Sequence, residues 1–142
     1  MVRGIKKLVT GGVMTAVLAT GMVVGGQPAQ AASGGGCTPL SVSPTLGSCI
    51  SYASNYISSD FYFNVAPDFA RCKYRHQIYL NGNVTYDSGI KTLTGQGRYG
   101  PVRKKVDALP NRSQSAYTRV TVYKCDNTYH YAVNSPTVYY VA

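Results

Sequence analysis

Between Arg71 and Gly89 the chain reads RCKYRHQIYLNGNVTYDSG, and its apolar positions recur at every second residue. Cys72, Tyr74, His76, Ile78 and Leu80 fall on one side of an extended chain, while Lys73, Arg75, Gln77 and Tyr79 fall on the other. That is the period of a half-buried strand. Asn81, Gly82 and Asn83 tolerate positive φ, so the chain is expected to reverse there into a second strand. A three-residue loop sets Leu80 opposite Val84 and Ile78 opposite Tyr86, whereas a two-residue loop opposes Ile78 to Thr85. The longer loop keeps apolar residues together and is the expected one.

The same period continues on both sides. Residues 49–58 alternate Ile50, Tyr52, Ser54 and Tyr56 and are read as one strand, although Ala53, Tyr56 and Ile57 also share a helical face. Phe61, Phe63 and Val65 alternate with Tyr62 and Asn64 before the turn Ala66-Pro67-Asp68. After the hairpin, residues 90–94 extend or follow its second strand, and Gly95-Gln96-Gly97 breaks it. Residues 98–110 read as an edge strand, with one helical turn after Pro101 as the alternative. Residues 117–124 are strongly β in type; Asp126-Asn127 reverses them into residues 128–133, and Asn134-Ser135-Pro136 separates a last strand over residues 137–141. About seven short strands with turns between them, and no long amphipathic helix, predict an all-β antiparallel β-sandwich.

Cys72 on an early strand and Tyr123-Lys124-Cys125 on a late one carry a further likeness. At the level of the fold the order resembles the immunoglobulin and fibronectin type III sandwiches, where a tyrosine-x-cysteine stands on strand F. The chain departs from the immunoglobulin pattern in having no Trp to pack on the bridge, and in placing its first strand cysteine on what counts as strand C. Cys125 is also in phase with Tyr123 and Thr121, whereas Val120 and Val122 point the other way. A bulge, or a bridge on the outer face, would reconcile them.

The N-terminus changes the reading of the whole. Arg3, Lys6 and Lys7 precede an apolar run over residues 8–24, and Gln27-Pro28-Ala29-Gln30-Ala31 ends in the small-x-small pattern of signal-peptide cleavage. Residues 1–31 are therefore expected to be a secretory signal, residues 32–48 a flexible Gly/Ser/Pro-rich lead-in and residues 49–142 the β-sandwich domain. The expected product is secreted, extracellular, free of the membrane and monomeric. All four cysteines lie past the signal, where an even count predicts two disulfides among three pairings. Cys37 with Cys49 and Cys72 with Cys125 are favoured, and closing those loops stabilises by about 3 and about 4 kcal/mol respectively. No metal-ligand spacing joins these cysteines to the two histidines, and no metal or cofactor is expected.

Charge supplies the only positive signal for function. The chain carries 14 Lys and Arg against five Asp and no Glu, for a net charge of +9. With five carboxylates placed at turns and strand ends, no G-x-S-x-G and no phosphate loop at Gly95-x-Gly97, hydrolase chemistry of the usual kinds has no footing. Lys73, Arg75 and Tyr79 form one outward row, and Arg98, Tyr99, Arg103, Lys104 and Lys105 form a second concentration. Outward residues on a strand stand about 7 Å apart, which suits contact with an anionic polymer such as a cell-wall polymer, a nucleic acid or an acidic polysaccharide. A non-catalytic binding module of this kind is the leading expectation. One alternative is an inhibitor or antagonistic effector presenting residues 109–113, with Arg112 at the tip, to another extracellular protein. Another is a small secreted ribonuclease with His76 and His130 as acid and base and Lys73, Arg75 or Lys124 holding charge.

Overall fold

The computed structural model describes residues 33–107, 109 and 112–141; the segment read as a signal, residues 1–31, lies outside the described residues. Ten strands and no helix occupy them. These are β1 (Ser33–Gly34), β2 (Gly36–Cys37), β3 (Leu46–Ala53), β4 (Tyr56–Phe63) and β5 (Lys73–Leu80), followed by β6 (Asn83–Thr92), β7 (Gly97–Lys105), β8 (Ser113–Tyr123), β9 (Tyr129–Asn134) and β10 (Val138–Val141). Every pairing is antiparallel. One sheet has the order β2-β3-β4-β7, and the other has β1-β10-β8-β5-β6 with β9 also on β8. β9 and β10 share one edge of β8, parted at Pro136, while β5 runs along the other edge.

Alternation on β4 and along most of β8 builds the layers. On β4, Ile57, Ser59, Phe61 and Phe63 are buried and Tyr56, Ser58, Asp60 and Tyr62 face away; on β8, Gln114, Ala116, Thr118, Val120 and Val122 are buried. One core cluster sets Ile50 and Ile57 against Ile78, Ala116, Val138 and Tyr140, and another sets Leu46, Phe61 and Phe63 against Val120 and Val122. Each buried Ile, Leu, Val or Phe side chain among them contributes about 1.5–3 kcal/mol of burial. Between the clusters runs a polar belt: Ser59 lies between Ile57 and Phe61 on β4, His76 between Tyr74 and Ile78 on β5, and Thr118 between Ala116 and Val120 on β8. Ser59 Oγ lies 2.7 Å from His76 Nε2 and 2.5 Å from Thr118 Oγ1, so the belt satisfies its own buried polar atoms and ties the sheets together.

Two expectations are corrected. The β5–β6 loop has two residues, Asn81 and Gly82, with φ of 48° and 81°, and Leu80 faces Asn83 instead of Val84. A bulge at Thr85 then brings Ile78 opposite Tyr86, the pairing that the longer loop was invoked to give. The short turn wins because positive φ at both positions matches the twist of the flanking strands. Residues 49–58 are likewise not one strand: Ser54 and Asn55, at φ 51° and 63°, close a hairpin between β3 and β4.

Both favoured disulfides are present, Cys37–Cys49 and Cys72–Cys125. The second lies just beyond the ends of β5 and β8, where Cys72 N donates to Tyr123 O at 3.0 Å, and this location removes the conflict of phase with Val120 and Val122. The N-terminal segment joins both sheets, since β1 pairs with β10 and β2 with β3. Gly34 and Gly35, at φ 79° and 81°, make that passage; a Cβ on Gly34 would lie 2.4 Å from Thr137 O. β7 is an edge strand, as expected, and Gly100-Pro101 bulges opposite Asp60.

Candidate functional site

The two groups of candidate binding residues lie on different sheets. Lys73, Arg75 and Tyr79 project from the outer face of the six-stranded sheet, and each is already engaged. Arg75 forms an ion pair with Asp87, its Nε donating to the carboxylate at 2.8 and 3.0 Å. Gln77 Nε2 and the Gly89 N–H add bonds at 3.0 and 2.9 Å. The guanidinium and these donors hold the Asp87 carboxyl well below the usual carboxylate range. Lys73 Nζ donates to Asn127 Oδ1 at 2.8 Å, and the Tyr79 ring stacks on Tyr117 at 4.6 Å.

β7 brings the second group to the opposite side of the sandwich. Register places Lys105 beside Tyr56, Arg103 beside Ser58 and Arg98 beside Tyr62, all on the outer face of the four-stranded sheet; Lys104 takes the other phase of this edge strand and is also exposed. Arg103 lies over the Tyr56 ring at 4.7 Å and Arg98 over the Tyr62 ring at 5.8 Å. Arg98 Nε donates to Asp60 Oδ2 at 2.6 Å, within an ion pair whose carboxylate is 13% exposed. Among the described residues, no carboxylate lies within ion-pair distance of Arg103, Lys104 or Lys105. Tyr99 does not belong to the surface. It points inward, stacks on Phe61 at 4.8 Å, and its hydroxyl accepts from the Thr94 and Gly95 N–H groups at 3.1 and 3.0 Å.

Beside these cations the outer face is low, because β3 presents small residues there. A groove of about 300 Å³ lies on this face, lined by the Cys37–Cys49 bridge, Ser51, Ser58, Asp60, Tyr62, Arg98 and Pro101. Gly100 permits its shape: at φ 105°, with a would-be Cβ 3.1 Å from Asp60 Cβ, it lets the bulged backbone press against Asp60. By sequence Tyr56 falls at the end of the preceding strand, in phase with Ile50, and Tyr62 on the next one; their shared face on β4 and their neighbours on β7 follow from the hairpin at Ser54-Asn55 and a long-range register.

The histidines are not brought together. His76 is 3% exposed, and burial lowers its pKa to about 4, whereas His130 is exposed on β9. In the loop proposed to contact a protein target, Leu109 and Arg112 are exposed and Arg112 N donates to Leu109 O at 3.2 Å; residues 108, 110 and 111 lie outside the described residues. No group of His, Cys or Asp among the described residues has the arrangement of a metal site. Compared with known proteins, the chain matches no family model, no curated protein and no solved structure.

Proposed function

We propose that this chain is an exported, non-catalytic binding module that engages an anionic polymer through the outer face of its four-stranded sheet. The observation that carries the reading is the grouping of Arg103, Lys104 and Lys105 on an exposed edge strand, clear of any carboxylate ion pair, with the Arg103 guanidinium laid over Tyr56. Stacking orients a planar donor that remains charged and able to grip an anion with its edge. Pro101 and the same cations also discourage pairing of β7 with another strand, so one set of residues serves solubility and binding. Two disulfides are typical of proteins outside the reducing cytoplasm, which supports export. Two antiparallel sheets, β2-β3-β4-β7 and β1-β10-β8-β5-β6 with β9 on β8, support the finer likeness to an immunoglobulin or fibronectin type III sandwich.

Titration against heparin and poly-uridylate over a range of salt tests the reading. The wild-type chain binds both, and the triple variant R103A/K104A/K105A lowers the slope of log affinity against log salt by about two. Lys73→Ala, on the far face, leaves the slope unchanged. Binding that ignores salt, or a triple variant as avid as the wild type, refutes it.

A further inference from the structure

Among the described residues the four most exposed large apolar side chains are Val42, Phe69, Leu40 and Tyr129, at 72, 66, 64 and 58% exposure. They gather at one end of the sandwich. β3 begins and β4 ends there, with Leu46 beside Phe63, and β5 begins where β8 ends, with Lys73 beside Tyr123. Leu40 and Val42 stand on the turn before β3, Phe69 on the turn between β4 and β5, and Tyr129 at the start of β9. Thr45 Oγ1 and Tyr131 Oη, 2.9 Å apart, tie the first of these segments to β9, and the Cys125 N–H ties the second to the β8–β9 turn through Phe69 O at 3.0 Å. At the other end, the β3–β4 and β5–β6 hairpins turn on Ser54-Asn55 and Asn81-Gly82, which offer no apolar side chain. Single apolar residues scattered on a surface need no explanation, but the most exposed ones collected at one end mark a contact.

Two observations bear on what is contacted. The turns close their own backbone bonds: Asp68 and Arg71 exchange N–H to carbonyl bonds at 3.2 and 3.1 Å, and Pro39 O accepts from the Val42 and Ser43 N–H groups at 2.9 and 3.1 Å. Turns satisfied in this way can meet an apolar phase at little cost. Charge is the second observation. Asp68 is neutralised by its ion pair with Arg71, whereas Lys73, Lys91 and Lys124 have no carboxylate within ion-pair distance among the described residues. Asp126 alone is left to oppose these three lysines at this end, so the rim below the apolar tips is positive. A protein partner would bury one contiguous apolar centre. Here the apolar side chains stand on separate projecting turns above a basic rim, which suits a fluid apolar layer under anionic headgroups.

We propose that this end of the domain docks on the surface of an anionic lipid bilayer. Leu40, Val42 and Phe69 enter the boundary of the acyl layer, Tyr129 lies at headgroup level, and the lysines meet the headgroup phosphates. Such adsorption is reversible and needs no anchor. It uses none of the residues of the β7 surface.

The chain contains no Trp, so Phe69→Trp introduces a single reporter at an exposed site. With vesicles of phosphatidylglycerol and phosphatidylcholine its emission is expected to shift to the blue, while that of Val84→Trp, exposed near the β5–β6 turn, is expected to stay unshifted. In co-sedimentation with the same vesicles, Phe69→Ser is expected to weaken binding about tenfold and Lys124→Ala about fivefold. R103A/K104A/K105A is expected to keep the Phe69→Trp shift, and Phe69→Ser to bind heparin as the wild type does. Thermal melts report whether each variant is folded. Absence of the wild type from the vesicle pellet, or unshifted Phe69→Trp emission in vesicle-bound protein, overturns the proposal. A blue shift that grows with protein concentration before lipid is added assigns this end to a second copy of the chain and overturns it too. Loss of heparin binding by R103A/K104A/K105A leaves it standing.

Discussion

His76 makes the stability of this domain dependent on pH within a narrow window. The ring sits between the two core clusters, with Nε2 on Ser59 Oγ, Phe61 and Tyr86 edge-on at 5.5 and 5.8 Å, and its backbone N–H donating to Ser88 Oγ at 2.8 Å. Burial dominates its pKa, lowering it to about 4; the Asp60 carboxylate opposes the shift and Lys91 reinforces it. Because the folded value lies below the unfolded one, the unfolded chain binds more protons between pH 4 and 6.5. Stability is therefore complete above the unfolded value and falls as pH drops through this interval. A shift from 6.5 to about 4, at 1.36 kcal/mol per unit, corresponds to about 3 kcal/mol. That equals a fall in Tm of about 10–20 °C for a domain of this size. Asp68, Asp87 and Asp126 have lowered values and act below this interval. Urea denaturation with the disulfides intact, at pH 7.5 and at pH 4, measures the effect. His76→Gln retains a side chain able to bond Ser59 but does not titrate, and it is expected to lose less than about 1 kcal/mol over the same interval. Equal losses in the wild type and in His76→Gln would refute the assignment; His130→Gln, at an exposed site, serves as the control and is expected to behave as the wild type.

Two smaller predictions concern the turn and the bridges. Gly82→Ala forces a side chain into a φ of 81°, and although nothing lies within 4 Å of the new Cβ, backbone strain is expected to lower stability by about 1 kcal/mol in thermal or urea melts. Replacing Cys72 and Cys125 together by Ala is expected to cost about 4 kcal/mol and replacing Cys37 and Cys49 about 3, since their separations are 53 and 12 residues. Equal losses measured by urea denaturation would contradict that order.

Much of the architecture could be read from parity along the chain. The alternation at β5 and β8 survives in the folded protein because each strand has one face on the core. Where reading failed, the signal was a change of parity. Even residues point inward up to Tyr52 and odd ones from Ile57, as a two-residue turn requires, but Ser54-Asn55 contains no Gly to mark it and the shift imitates a helical face. The bulges escaped for different reasons: Thr85 does not break the composition of its strand, whereas Gly100-Pro101 does but reads equally as the start of a helical turn. The candidate surface was half legible: the cations stand out in the sequence, but their division between opposite faces is a matter of which strands pair. Nothing local says that Arg75 meets Asp87, that Arg98 meets Asp60, or that Tyr99 turns inward to cap a loop.

β8 accepts β5 on one edge and β9 and β10 on the other, so none of the six-stranded sheet beyond the β5–β6 hairpin can assemble until residues past 113 are available. Cys72 is brought to Cys125 by that same event. Oxidation of this thiol pair thus serves as a built-in clock for completion of the sheet, and trapping free thiols during refolding would reveal Cys37 and Cys49 closing while Cys72 is still waiting.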